Sequence, residues 1–180
     1  ARGTVQLARI VSKQLADGID FLCSDEEALR CFHFMNTVMA EQRVHTQVNA
    51  LRGTNGDLSL KEAEKRVLSG SYPHHWRVFQ LAFILMQIHA LTDPAVEVRS
   101  DESTKAKTQL LFFPTGGGKT EAYLGLAAYT FAIRRRQGIV KSPDGNLNGN
   151  EGVAVLMRYT LRLLTSQQFQ RASTLICAAE

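Results

Sequence analysis

The seven residues Pro114-Thr115-Gly116-Gly117-Gly118-Lys119-Thr120 constrain this chain more than any other stretch. They stand between a short apolar run, Gln109 to Phe113, and a helix-forming segment, Glu121 to Arg136. Glycine adopts positive φ at little cost, so consecutive glycines let a turn curl until several backbone N–H groups converge on one point. The helix that follows adds the partial positive charge of its N-terminus. An anion, above all a phosphate, suits that combination. Lys119 is then expected to reach the β- and γ-phosphates of ATP and Thr120 to ligate Mg²⁺, with Pro114, Thr115, Gly116, Gly117, Gly118 and Glu121 completing the contact. Phe113 departs from the general G-x-x-x-x-G-K-[ST] pattern, which has Gly or Ala there, and is expected to point into a sheet.

That sheet is itself an expectation. Gln109 to Phe113 and Val153 to Met157 are apolar runs of strand length, as strands buried on both faces would be. A helix over Glu121 to Arg136 separates them, a Gly/Asn-rich loop runs from Gly138 to Gly152, and a further helix starts at Thr160. Strand, helix, strand, helix implies right-handed crossovers and an α/β fold, a parallel sheet with flanking helices, over residues 71–180. The polar residues Pro94 to Thr108 are expected to be an exposed connector, and Gly145 to Gly152 a loop.

Residues 1–70 have a different character. Leu7, Val11, Leu15, Ile19 and Leu22 recur every three or four positions, which predicts a helix with one buried face. Ser24 and Glu27 fit a capping box for a second helix, carrying Leu29, Phe32, Met35, Val38 and Met39 and running to about Val48. The G-T-N-G-D stretch at Gly53 to Asp57 reads as a loop. Ser59 with Glu62 caps a short third helix that ends at Ser69-Gly70. Pro73 cannot sit inside a helix, so the boundary of this helical attachment is expected between Gly70 and Pro73. A largely buried helix over His75 to Leu91 follows.

Composition narrows the function classes. Of the 180 residues 44% are hydrophobic, and no apolar run approaches the roughly 18 needed to cross a bilayer, so membrane insertion is not expected. A net charge of +4 is compatible with a polyanionic partner, and Arg134, Arg135 and Arg136 form the densest basic run, which reads first as a solvated helix end. Three widely spaced cysteines make neither a disulfide framework nor a metal knuckle, the pattern of a reducing, cytoplasmic setting. The five histidines lack thiol or carboxylate partners at ligand spacing.

The string P-T-G-G-G-K-T resembles motif I of superfamily 2 helicases. Two more segments agree with that resemblance. Trp76-Arg77-Val78-Phe79-Gln80 is similar to the adenine-recognition element of these motors, with Gln80 placed 39 positions before Lys119. The resemblance implies that Gln80 selects adenine, with Arg77 or Phe79 near the base. Tyr159 to Gln167 resembles motif Ia, with Leu161 inserted between Thr160 and Arg162, and implies contacts from Thr160, Arg162 and Gln167 to a DNA backbone, which hold phosphates without reading sequence. The longer strings F-F-P-T-G-G-G-K-T-E-A-Y-L-G-L and Y-T-L-R-L-L-T-S-Q-Q-F-Q-R-A, with Ala28 to Arg43, resemble the helicase subunits of DISARM anti-phage systems. That likeness implies a partial RecA-like P-loop domain, a bacterial cytoplasmic DNA motor, and a protein partner bearing a DUF1998 domain.

No apolar strand ending in Asp-Glu-x-His or Asp-Glu-x-Asp follows Gln167, nor do the arginines of motif VI. The residues at hand are therefore expected to bind nucleotide and, alone, to hydrolyse it poorly, as a fragment of a longer motor. The alternative from a different class is a nucleotide-gated assembly subunit whose loop binds ATP as a switch without translocation.

Overall fold

A central helix needs apolar residues around most of its circumference, and Lys119–Gln137 has them. Ala122, Leu124, Ala127, Ala128, Tyr129 and Ile133 are all buried. In this computed structural model, residues 2–70, 75–96, 99, 108–114, 116–143, 145–158 and 162–180 are described, with every side chain among them except those of Arg2 and residues 162–165. In chain order the elements are α1 (Arg2–Ser24), α2 (Glu26–Thr54), α3 (Leu60–Ser69), α4 (Val78–Thr92), α5 (Lys119–Gln137), β1 (Ile139–Ser142), β2 (Gly145–Asn148) and α6 (Arg162–Ala179). Among the described residues no helix is long and apolar enough to cross a membrane.

Among the described residues the parallel sheet expected from the sequence does not form, and the α/β, RecA-like assignment is corrected to a mostly helical fold with one two-stranded antiparallel ladder. Gln109 to Phe113 forms no strand, and Leu110 and Phe112 are 82% and 89% exposed. Val153 to Met157 forms none either, with Val153 77% and Leu156 88% exposed. A buried strand needs ladder partners at its edges and layers on its faces, and among the described residues these two runs have no ladder partner. The ladder that does form lies inside the stretch read as a loop. Ile139 to Ser142 pairs with Gly145 to Asn148, Ile139 opposite Asn148 and Ser142 opposite Gly145. Two residues, Pro143 and Asp144, join these strands, so the hairpin closes locally and needs nothing from the rest of the chain.

The core runs across the boundary expected near Gly70. Leu22 of α1, Met35 and Val38 of α2, Ile84 and Ile88 of α4, Tyr129 of α5 and Leu175 of α6 belong to one buried cluster. Thr92 and Tyr129 share a buried hydroxyl–hydroxyl bond of 2.6 Å, and burial pushes the Tyr129 phenol well above its ordinary range. A smaller cluster of Val48, Leu58 and Ala63 packs α3 on the far end of α2. Pro73 lies outside the described residues.

Helix ends differ in detail from the sequence reading. Asp25, not Ser24, caps α2, accepting from the Ala28 N–H at 2.8 Å, while Ser24 closes α1 by donating to the Phe21 carbonyl. Glu27 turns outward to Arg136, which holds its carboxyl below the usual value through two hydrogen bonds of 2.7 and 2.9 Å. Helix α2 continues past Val48 through Gly53 to Thr54. The Ser59 cap of α3 forms as expected, accepting from the Glu62 N–H at 3.3 Å. The stripe of α1 is not buried as a face: Val5, Leu7, Val11 and Ile19 are exposed, and the helix rests on α4 near its end, where Leu22 is buried and Phe21 stacks on His89 at 4.3 Å. The arginines at the end of α5 are engaged within the chain. Arg134 donates to the carbonyls of Val153 and Glu151, and Arg135 to that of Gly149, so with Arg136 on Glu27 the run fastens the hairpin and α2.

Candidate nucleotide site

The glycine turn curls as its composition requires. Gly116 and Gly118 have φ of 79° and 91°, the left-handed region that L side chains seldom adopt. A β-carbon on Gly118 would also lie 2.8 Å from Gln80 Nε2 and 3.3 Å from a Glu121 carboxylate oxygen, so the position needs glycine for space as well as for conformation. The Gly117 N–H closes the turn on the Pro114 carbonyl at 3.1 Å, and Gly118 is the cap from which α5 departs. The first amides of a helix have no partners within it, so the turn opens onto a field favourable to anions. Lys119 begins the helix and folds its ammonium back over the turn, donating to the carbonyls of Phe113 at 2.5 Å and Pro114 at 3.1 Å. Thr115 lies outside the described residues.

The residues singled out upstream converge here. The N-terminus of α4 lies against the turn, so that Arg77 donates to the Gly117 carbonyl at 2.8 Å and Gln80 Nε2 to the Gly118 carbonyl at 2.7 Å. Gln80 Oε1 in turn accepts from the Arg77 N–H at 2.8 Å, capping α4. Gln80 is 5% exposed, and among the described residues one N–H and one acceptor lone pair of its amide stay uncommitted. Phe79 stacks on Phe113, ring centroids 3.9 Å apart and nearly parallel. Phe113 therefore points at α4 rather than into a sheet.

Helix α6 reaches the same turn by residues that the sequence reading passed over. Gln168 Nε2 approaches Thr120 Oγ1 at 3.5 Å, and Arg171 forms a half-buried ion pair with Glu121. The other Glu121 carboxylate oxygen is buried without a hydrogen-bond partner among the described residues. Gln168 and Arg171 are three positions apart, the spacing of one helical face, and that periodicity was the available signal. Of the expected DNA-contacting residues, Thr160 lies outside the described residues, Arg162 opens α6 with its side chain undescribed, and Gln167 is exposed on that helix.

Between the turn, the start of α4 and α2 lies a cavity of about 480 Å³, lined among others by Asn36, Arg43, Trp76, Gln80, Gly118 and Arg171. Trp76 is fixed in its wall by donating from its indole N–H to Asn36 Oδ1 at 2.6 Å. Across from α4 the ring meets Gly125, where a β-carbon would come within 2.8 Å of it. Nothing in the sequence pattern of α2 marked it as part of a site, because the cavity exists only where three separate segments meet. No group of three or more His, Cys, Asp or Glu that could hold a metal occurs among the described residues. For ATP the residues fit in kind: a left-handed glycine turn, a helix N-terminus, a lysine, and the Thr120 hydroxyl for Mg²⁺.

No family profile matches the chain, and no solved structure matches it. Among curated proteins it is similar to the DISARM protein DrmA of Bacillus paralicheniformis, 39% identical over 165 residues. That alignment covers 91% of this chain but 13% of the relative's length.

Proposed function

This chain is DrmA-like over nearly all of its length, and from that premise we propose that it supplies the ATP-binding turn of a DNA helicase or translocase of anti-phage defence. The observation that carries the proposal is the turn itself: Gly116 and Gly118 in left-handed conformation, opening directly onto α5 with Lys119 and Thr120 as its first residues. In the proposed complex the amides of the turn bind the phosphates, and Lys119 leaves the carbonyls of Phe113 and Pro114 to pair with the β- and γ-phosphates. Thr120 holds Mg²⁺, which neutralises phosphate charge. Arg77 and Gln80 brace the turn through its carbonyls, and Gln80 keeps hydrogen-bonding capacity for the adenine base. Thr160, Arg162 and Gln167 contact the DNA backbone without reading its sequence. Gln168 and Arg171 join α6 to Thr120 and Glu121, which gives nucleotide binding a path to the DNA-contacting segment. A cytoplasmic setting and a partner with a DUF1998 domain complete the proposal.

The test uses the full-length protein that carries this sequence. Lys119→Ala is expected to weaken ATP binding roughly 10- to 100-fold, the worth of a charge-assisted hydrogen bond, and to abolish ATP turnover. Wild-type turnover in that variant would remove the assignment. DNA that stimulates ATP turnover supports a motor, whereas turnover indifferent to DNA supports a nucleotide-gated assembly switch. Gln80→Ala is expected to weaken ATP more than GTP or CTP, and equal losses would show that it does not read the base.

A further inference from the structure

The far wall of the cavity is α2, a helix to which the nucleotide reading assigns nothing. Gln42 lines it and is 4% exposed. Its Nε2 donates to Thr46 Oγ1 at 3.3 Å, but its Oε1 accepts from no donor among the described residues. The residue is buried while this oxygen is not among the buried unpartnered atoms, so at the cavity wall it is an acceptor that a bound donor can use. Trp76 lines the same space, and because Asn36 already takes its indole N–H, what it offers the cavity is aromatic carbon rather than a donor. Arg43 completes the wall. Arg77 and Arg171 are committed to the Gly117 carbonyl and to Glu121, whereas Arg43 makes no hydrogen bond or ion pair among the described residues. The volume of about 480 Å³ falls within the range of small-molecule sites, roughly 300–1,000 Å³.

We propose that this cavity is the nucleoside pocket of the site, in which an amino-bearing purine stacks on Trp76 and donates its exocyclic amino group to Gln42 Oε1, with Arg43 closing the pocket. The inference rests on the reading of the glycine turn as an ATP site and extends it to α2. An exocyclic amino group carries two N–H donors, so the uncommitted lone pair of Gln80 Oε1 and the Gln42 oxygen can each take one. Adenine meets this requirement at its six position, and hypoxanthine, with an oxygen there, does not. A stacked aromatic with a few convergent polar groups is the usual make-up of such a pocket.

Titration calorimetry on the full-length protein tests this with three ligands: ATP, inosine triphosphate and inorganic tripolyphosphate. Gln42→Leu is expected to weaken ATP about 5- to 10-fold and to leave the other two within about twofold of wild type, because only the amino-group bond is lost. Arg43→Ala, at an exposed position that does not endanger folding, is expected to weaken both nucleoside triphosphates several-fold and to spare tripolyphosphate. Lys119→Ala should weaken all three. If Gln42→Leu and Arg43→Ala bind ATP like the wild type while Lys119→Ala does not, the pocket is wrong and the turn stands. If Gln42→Leu weakens ATP and inosine triphosphate equally, the amino-group contact is wrong. Tripolyphosphate unaffected by Lys119→Ala would instead remove the reading of the turn.

Discussion

The segments that lead into α5 and into α6 have the same plan in sequence, an apolar run followed by a turn and a helix, yet they behave differently. Before α5, the turn is held from outside: Arg77 and Gln80 bond its carbonyls and Phe79 stacks on Phe113. Before α6, Val153 and Leu156 lie exposed while Val155 and Met157 rest against the core, and the Val153 carbonyl accepts from Arg134. The difference teaches that the start of α4, rather than a neighbouring strand, orders the glycine turn. A turn braced by side chains can keep its shape where the run before it has no ladder partner among the described residues.

The largest effect expected from that contrast is at Gly118. Gly118→Ala forces a side chain into left-handed backbone and against Gln80 and Glu121, so the start of α5 should lose about 1–3 kcal/mol of local stability. Hydrogen exchange across the first turn of α5 measures it, and exchange unchanged from wild type would mean that the turn is not held as described. Arg77→Ala removes one brace and should cost about 0.5–1.5 kcal/mol at the same amides. A larger loss than at Gly118 would reverse the ranking of conformation over bracing. Leu156→Ser, before α6, is expected to change stability by less than about 0.5 kcal/mol, because that side chain is 88% exposed. A substantial loss there would show that Leu156 is packed like its neighbours Val155 and Met157.

The smallest effect concerns the far end of α5. Glu27 has its carboxyl held below the ordinary 4.5, first by the hydrogen bonds from Arg136. A depressed folded-state value stabilises the fold above the unfolded value and loses that contribution as pH falls through the folded value. Both groups are well exposed, so the stability difference between wild type and Arg136→Ala should be slight near neutrality and should disappear in acid. A difference that persists below the folded value of Glu27 would mean that Arg136 acts through packing instead.

Much of the helical layout was legible. The Ser59–Glu62 cap and the break before Asp93 follow from local chemistry, and α5 starts at Lys119, two residues before the expected Glu121. Arg77, Phe79 and Gln80 were also marked in advance, and the structure brings all three to the turn. Two apolar runs were misread as strands because length and hydrophobicity describe what a segment could bury, not whether partners are at hand. The exposed stripe of α1 failed for the same reason. Gln42, Arg43, Gln168 and Arg171 carried no signal strong enough to be chosen, since each matters only through a neighbour distant in sequence.

What the sequence determined by itself was the curl of the Gly116 to Gly118 turn and the extent of most helices, because φ preferences, caps and 3.6-residue periodicity act over a few residues. Only the tertiary structure decided that α2 shares a core with α5 and that a cavity opens between α2 and the turn. Burial and hydrogen-bond satisfaction depend on which surfaces meet across long chain separations, and that information is not contained in any one segment.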